Sequence, residues 1–125
     1  MTSFDLPMML LSTLVLKHFV FDFAYQPPYQ WRNKGTYGHM GGIQHSGFHS
    51  IATCIILLIY PVPIEKVLVL VLFEFIAHYH IDWAKMSINK KMGWKADTHE
   101  EFWILLGFDQ LLHIQCYIFI VLVAL

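Results

Sequence analysis

Four long apolar stretches, residues 6–25, 43–60, 64–86 and 102–125, alternate with three polar breaks along this chain. Each approaches the roughly 20 apolar residues that a helix needs to cross a bilayer core. The pattern predicts four transmembrane helices in an all-α, polytopic four-helix bundle forming one domain. The breaks carry turn and interface residues: QPPYQWRNKGTYGHMGG, PVP and SINKKMGWKADTHEE. The three-residue break forces the second and third helices into an antiparallel hairpin. The first stretch lacks both a basic leader and a small-residue cleavage site, so it is expected to remain in the protein.

The apolar pattern is interrupted by pairs of acid or imidazole side chains spaced four residues apart: His18/Asp22, His45/His49, His78/Asp82 and Asp109/His113. A spacing of four places both members on one helical face. Ionisable groups inside a membrane are costly and mark function by default.

The basic residues give the pairs a common depth. Arg32 and Lys34 lie in the first break and Lys85, Lys90, Lys91 and Lys95 in or beside the third, whereas the opposite side has only Lys66. By the positive-inside rule, loops one and three face the cytoplasm of an inner (plasma) membrane and both termini face outward. Trp31, Trp83, Trp94 and Trp103 share that cytoplasmic side, as an interfacial aromatic belt would. All four pairs then fall in the same half of the membrane, within a few helical turns of one another.

Histidine and carboxylate without thiolate suit Zn, with Mn or Fe also compatible, in one or two ions. The expected ligands are His18, Asp22, His45, His49, His78, Asp82, Asp109 and His113. A divalent cation supplies the countercharge that neutral imidazoles cannot give three buried aspartates. Two other readings stay open: a proton relay through Asp/His chains, and plain hydrogen bonding between helices. Cys54 and Cys116 lack metal-site spacing and read as packing residues.

Glu74 precedes His78 by one turn on the same face, so it is a candidate catalytic base or further ligand, or else a salt-bridge partner of Lys17. Gln26, Lys34, Lys85 and Gln110 border the expected cavity mouth, where they either bind an anionic headgroup as substrate-binding residues or snorkel to the interface. His80 lies off the paired face, and His39 and His99 fall in loops. A formal charge of −1 without a basic tract argues against a nucleic-acid partner.

The strings HFVFDFAYQ with WRNK, HSGFH, HYHIDWAK and FDQLLH resemble the DUF3307 family of prokaryotic and phage membrane proteins across nearly the whole chain. The resemblance implies that His18, Asp22, Gln26, Lys34, His45, His49, His78, Asp82, Lys85, Asp109, Gln110 and His113 are the family's polar positions, and it brings no established activity. A looser similarity, carried by His18, Asp22, Gln26 and Pro27, links the chain to inner-membrane metal-dependent hydrolases related to zinc-dependent phospholipase C. The histidine that the soluble enzymes carry soon after that proline has no equivalent here.

These readings lead to one expectation and its rivals. The expectation is a membrane-embedded metal-dependent hydrolase acting on a lipid or lipid-linked phosphate or ester, with the bilayer as its surroundings and a homo-oligomer as a possible assembly. The rivals are a divalent-metal or proton transport protein, and a non-catalytic metal-binding membrane effector.

Overall fold

The computed structural model describes residues 5–125, and among them every regular element is helical. Helix α1 spans Asp5–Phe19 and continues into a π-helical segment, Val20–Ala24; a short α2, Pro28–Asn33, follows. Helices α3 (Met40–Ile59), α4 (Ile64–Met92) and α5 (Glu100–Ala124) complete the chain. Four helical stretches are long and apolar enough to cross a membrane: Asp5–Ala24, Met40–Ile59, Ile64–Met92 and Glu100–Ala124.

The boundaries follow local chemistry. Pro28 opens α2, where a missing N–H costs nothing. His39 caps α3 by accepting from the Gly41 N–H at 3.0 Å. The PVP turn joins α3 to α4 in the expected antiparallel hairpin, and Gly93, at φ 68°, ends α4 in the left-handed conformation that glycine adopts freely. Helix α4 outruns the expected end at residue 86 because Ser87–Met92 are good enough helix formers to continue past the hydrocarbon. At about 1.5 Å per residue its 29 residues reach roughly 44 Å, well beyond an apolar core of about 30 Å. Helices α3 and α5 likewise begin a turn or less before their apolar stretches.

The helices pack in a ring, α1 against α3, α3 against α4, α4 against α5 and α5 back against α1, leaving α1 and α4 on a diagonal. Large apolar side chains such as Leu16, Ile55, Leu68, Ile104 and Leu122 point outward. The interior is built from one row of residues per helix at four-residue spacing: Leu10, Leu14, His18, Asp22 on the first helix; His45, His49, Thr53, Leu57 on α3; Leu70, Glu74, His78, Asp82 on α4; Asp109, His113, Tyr117, Val121 on α5. All sixteen are buried. Because α3 and α5 run opposite to α1 and α4, the rows align into levels. Asp22, His45, Asp82 and Asp109 form the outermost, then His18, His49, His78 and His113, one histidine from each helix. Thr53, Glu74 and Tyr117 lie beneath with Lys17, and the far half is sealed by Leu10, Leu14, Leu57, Leu70 and Ile120.

Candidate metal centre

The centre lies where the outer two levels interlock. Asp22 Oδ1 is 3.0 Å from Nε2 of His45, 3.0 Å from Nε2 of His49 and 3.6 Å from Nε2 of His78. His45 Nε2 is also 3.2 Å from His78 Nε2 and 3.0 Å from Asp82 Oδ2. An imidazole nitrogen carries at most one hydrogen, so three imidazole nitrogens and a carboxylate oxygen at these separations cannot all be mutually satisfied. A shared cation satisfies them together. With metal–ligand bonds of about 2.0–2.1 Å, the edge of a tetrahedral site is about 3.3 Å, and the separations above bracket that length.

Asp22 owes its reach to the π-helical segment. There the Tyr25 N–H bonds Val20 O, five residues back, at 2.6 Å, which widens the helix where the side chain must meet α3 and α4. Such segments recur at functional sites. Gln26 turns back to donate to the Asp22 carbonyl, closing that end of the helix.

Further groupings share the same residues. Asp22, His78, Asp82 and His113 form a second set with ligand atoms within 4.8 Å of one another, and His18, His78 and His113 a third. Asp109 falls in none of the three. Its Oδ2 accepts from Lys85 Nζ at 3.1 Å and from Gln110 Nε2 at 2.9 Å. His18 is held by other hydrogen bonds: Nε2 lies 2.9 Å from Gln110 Oε1, a pure acceptor, so Nε2 carries the proton and Nδ1 accepts from the Tyr117 hydroxyl at 3.0 Å. That tautomer directs no lone pair at the centre, which places His18 beside the four-atom set rather than in it.

Around the centre, each lysine has one closest carboxylate, and Lys85 also lies 4.0 Å from Asp82. Lys17 meets Glu74 at 2.5 Å, Lys34 meets Asp82 at 3.2 Å, and Lys85 meets Asp109 at 3.1 Å. Asp22 faces only imidazoles. Four carboxylates against three ammonium groups leave one uncompensated negative charge, and it sits on the residue at the middle of the metal set. Lys34, expected at a cavity mouth, is only 5% exposed, because α2 folds the first loop down over α3. Burial opposes the Lys34 charge, but the Asp82 and Asp22 carboxylates outweigh it and hold the pKa above the ordinary lysine value.

A cleft of about 230 Å³ leads to the centre from the loop-one and loop-three end, lined by Asp22, Gln26, Trp31, Lys34, Lys85 and Gln110 among others. All four expected substrate-binding residues thus border one opening. Glu74 lies one level beneath the histidines, engaged by Lys17, away from this cleft. The histidines outside the rows have local roles: His80 accepts from or donates to Tyr37 at 3.0 Å on an exposed face, and His99 stands at the start of α5.

Some members of the site were not singled out from the sequence. Gln30, 1% exposed, places Oε1 3.3 Å from His45 Nδ1; it lies on the six-residue α2, too short for any periodicity to mark it. Tyr117 and Thr53 continue the rows by one more step of four, a signal the sequence did carry.

No curated protein and no solved structure matches the chain, so the looser likeness to metal-dependent hydrolases gains no support from comparison. Residues 10–125 match the family described as protein of unknown function (DUF3307), an interval that contains every residue of the centre. On that coverage the chain belongs to the DUF3307 family.

Proposed function

We propose that this protein is a membrane-embedded metal-dependent hydrolase that binds one divalent cation, most naturally Zn, with Mn or Fe as alternatives, and acts on a lipid or lipid-linked phosphate or ester. The supporting observation is the convergence of Asp22 Oδ1 with Nε2 of His45, His49 and His78 at the head of a cleft bordered by two lysines. A cation held there lowers the pKa of a bound water toward neutrality and polarises a phosphoryl or carbonyl oxygen. The second grouping, through Asp82 and His113, leaves room for a second ion.

The chain's own residues divide the remaining work. Lys34 and Lys85 attract the anionic group into the cleft, and Gln26 and Gln110 line its walls. The proton acceptor is an unligated carboxylate: Asp109, at the outer level with Oδ1 3.5 Å from His113 Nε2, or Glu74, one level beneath the histidines. We further place the protein in the inner membrane with loops one and three cytoplasmic, following the lysine distribution.

A transport role is less well supported, because the Leu10, Leu14, Leu57, Leu70 and Ile120 seal closes the half of the bundle opposite the cleft. The test is to incubate purified protein with mixed phospholipids and zinc, and to look for released headgroups or fatty acids. Product that disappears with chelator and in Asp22→Asn supports the reading. Stoichiometric zinc with no product from any lipid overturns hydrolysis in favour of a non-catalytic metal site.

A further inference from the structure

A zinc-bound imidazole coordinates through one ring nitrogen and carries its hydrogen on the other, which then needs an acceptor. The three imidazoles around Asp22 differ in what meets that second nitrogen. His45 Nδ1 lies 3.3 Å from Gln30 Oε1, an acceptor, so His45 already has the form a ligand requires. His49 Nδ1 lies 3.4 Å from Lys17 Nζ. An ammonium group only donates, so this nitrogen accepts, the ring hydrogen is on Nε2, and Nε2 donates to Asp22 Oδ1 at 3.0 Å. His49 thus differs from His18, whose Nε2 is held by Gln110. The Nε2 of His49 already faces the Asp22 set, and only its far nitrogen meets the wrong kind of group.

The group that can correct this is held by the same lysine. Lys17 Nζ is 2.5 Å from Glu74 Oε1, so the ring and the carboxylate share one ammonium group between them. Glu74 is 1% exposed, and its second oxygen, Oε2, has no hydrogen-bond partner. A buried carboxylate oxygen without a donor is costly, and such an atom calls for an explanation. The contact from Lys17 to His49 is the longest that the ammonium makes. Giving it up leaves Lys17 with Glu74 Oε1 and with the Tyr117 hydroxyl at 3.2 Å. One spare acceptor therefore stands one ammonium group away from the imidazole that must become a donor.

We infer that Glu74 is a positioning residue for the metal centre. When a cation takes the Nε2 lone pair of His49, the ring hydrogen leaves Nε2, Nδ1 gains one, and Glu74 accepts the new Nδ1–H while still holding Lys17. The ring neither gains nor loses a proton in this exchange. A carboxylate behind a ligand imidazole fixes the ring's orientation and raises its basicity. The inference rests on the proposed metal centre and deepens it, because it leaves Asp109 as the proton acceptor at the cleft.

Two double variants isolate the acceptor from the charge. Lys17→Met with Glu74→Leu and Lys17→Met with Glu74→Gln have the same net charge, but only the second keeps an oxygen that can accept from Nδ1. Zinc affinity, measured by competition with a chromogenic chelator, should fall about 10–100-fold in the leucine pair. The glutamine pair should regain most of it. Metal-free unfolding midpoints of both pairs separate lost affinity from lost folding. Should the leucine pair not fold, isotope-labelled histidine NMR of the wild type decides alone: His49 is expected to carry its hydrogen on Nε2 without zinc and on Nδ1 with zinc. Equal zinc affinity in the two folded pairs overturns the positioning role, as does a zinc-bound His49 with no hydrogen on Nδ1. Wild-type protein that takes up no zinc overturns the metal centre itself, and this role with it. Zinc affinity that depends on the acceptor, with no lipid ever cleaved, upholds the positioning role and overturns hydrolysis.

Discussion

Lys17 on α1 and Glu74 on α4 meet across the diagonal of the bundle, Nζ to Oε1 at 2.5 Å, tying together two helices that otherwise make few contacts. Lys17 Nζ also lies 3.2 Å from the Tyr117 hydroxyl and 3.4 Å from His49 Nδ1. The pair thus forms a floor beneath the histidines, and removing one partner leaves a buried charge without its counterion. Lys17→Met is expected to destabilise the protein by about 3–5 kcal/mol, read as a lowered unfolding midpoint in detergent. The double variant Lys17→Met with Glu74→Leu should recover most of that loss, since two apolar groups of similar volume need no counterion. A double variant no more stable than the single one would show that the floor does more than balance charge.

The hydrogen bonds sort the histidines into candidate ligands and neighbours. Elemental analysis of purified protein should find zinc lost in Asp22→Ala and His49→Ala but kept in His18→Gln, because His18 Nε2 is committed to Gln110. Gln30→Leu should weaken zinc by about 10–100-fold without changing the saturated stoichiometry, as expected when the group orienting a ligand imidazole is removed. Loss of zinc in His18→Gln as complete as in His49→Ala would place His18 among the ligands and refute the tautomer argument.

How much of this was readable beforehand depended on whether a feature leaves a mark in residue order. The rows of four did, since a helix must present His78 and Asp82 on one face whatever surrounds it. Depth followed from the clustering of lysines, so one level for four pairs could be deduced. The π-helical segment left no mark, because shifting a hydrogen bond from four residues back to five changes no residue type. Lys34 does border the cleft, but the near-complete burial of its side chain depends on α2 folding over α3, a tertiary event that residue order does not mark. The apolar stretch ends at residue 86 while the helix runs on to Met92, because hydropathy marks apolar length whereas Asn89, Lys90 and Lys91 are polar and still helical.

Lys34 bridges loop one to α4 through Asp82, so its loss is expected to loosen the cover over the centre. Lys34→Met should cost up to about 3–5 kcal/mol, since buried Asp82 then keeps only Lys85, at 4.0 Å, and its imidazole neighbours. The pH dependence has a defined sign. A lysine whose folded pKa exceeds its unfolded value of 10.5 contributes stability that is fully present below that value and fades as pH rises through the folded pKa. The stability gap between wild type and Lys34→Met should therefore be flat across neutral and mildly alkaline pH and narrow only above the ordinary lysine range. A gap that closes near neutrality would mean that Lys34 is not held charged by Asp82.

Gly41 and Gly42 let α2 approach α3 closely enough for Lys34 to reach Asp82. A methyl group on Gly41 would run into the Tyr29 carbonyl oxygen and come within 2.9 Å of Asn33 Cβ, both on or beside α2. Backbone cannot yield as a flexible side chain can, so α2 must shift away from α3. Gly41→Ala is therefore expected to destabilise by about 1–3 kcal/mol despite the better helix propensity of alanine. It should also raise protease sensitivity around Arg32, as the loop lifts. At Gly47, by contrast, an added methyl group meets nothing within 4 Å, so Gly47→Ala should be neutral or stabilising by up to about 1 kcal/mol. Unfolding midpoints of the two alanine variants, measured side by side, decide the matter: equal midpoints would mean that the close approach of α2 to α3 does not constrain position 41.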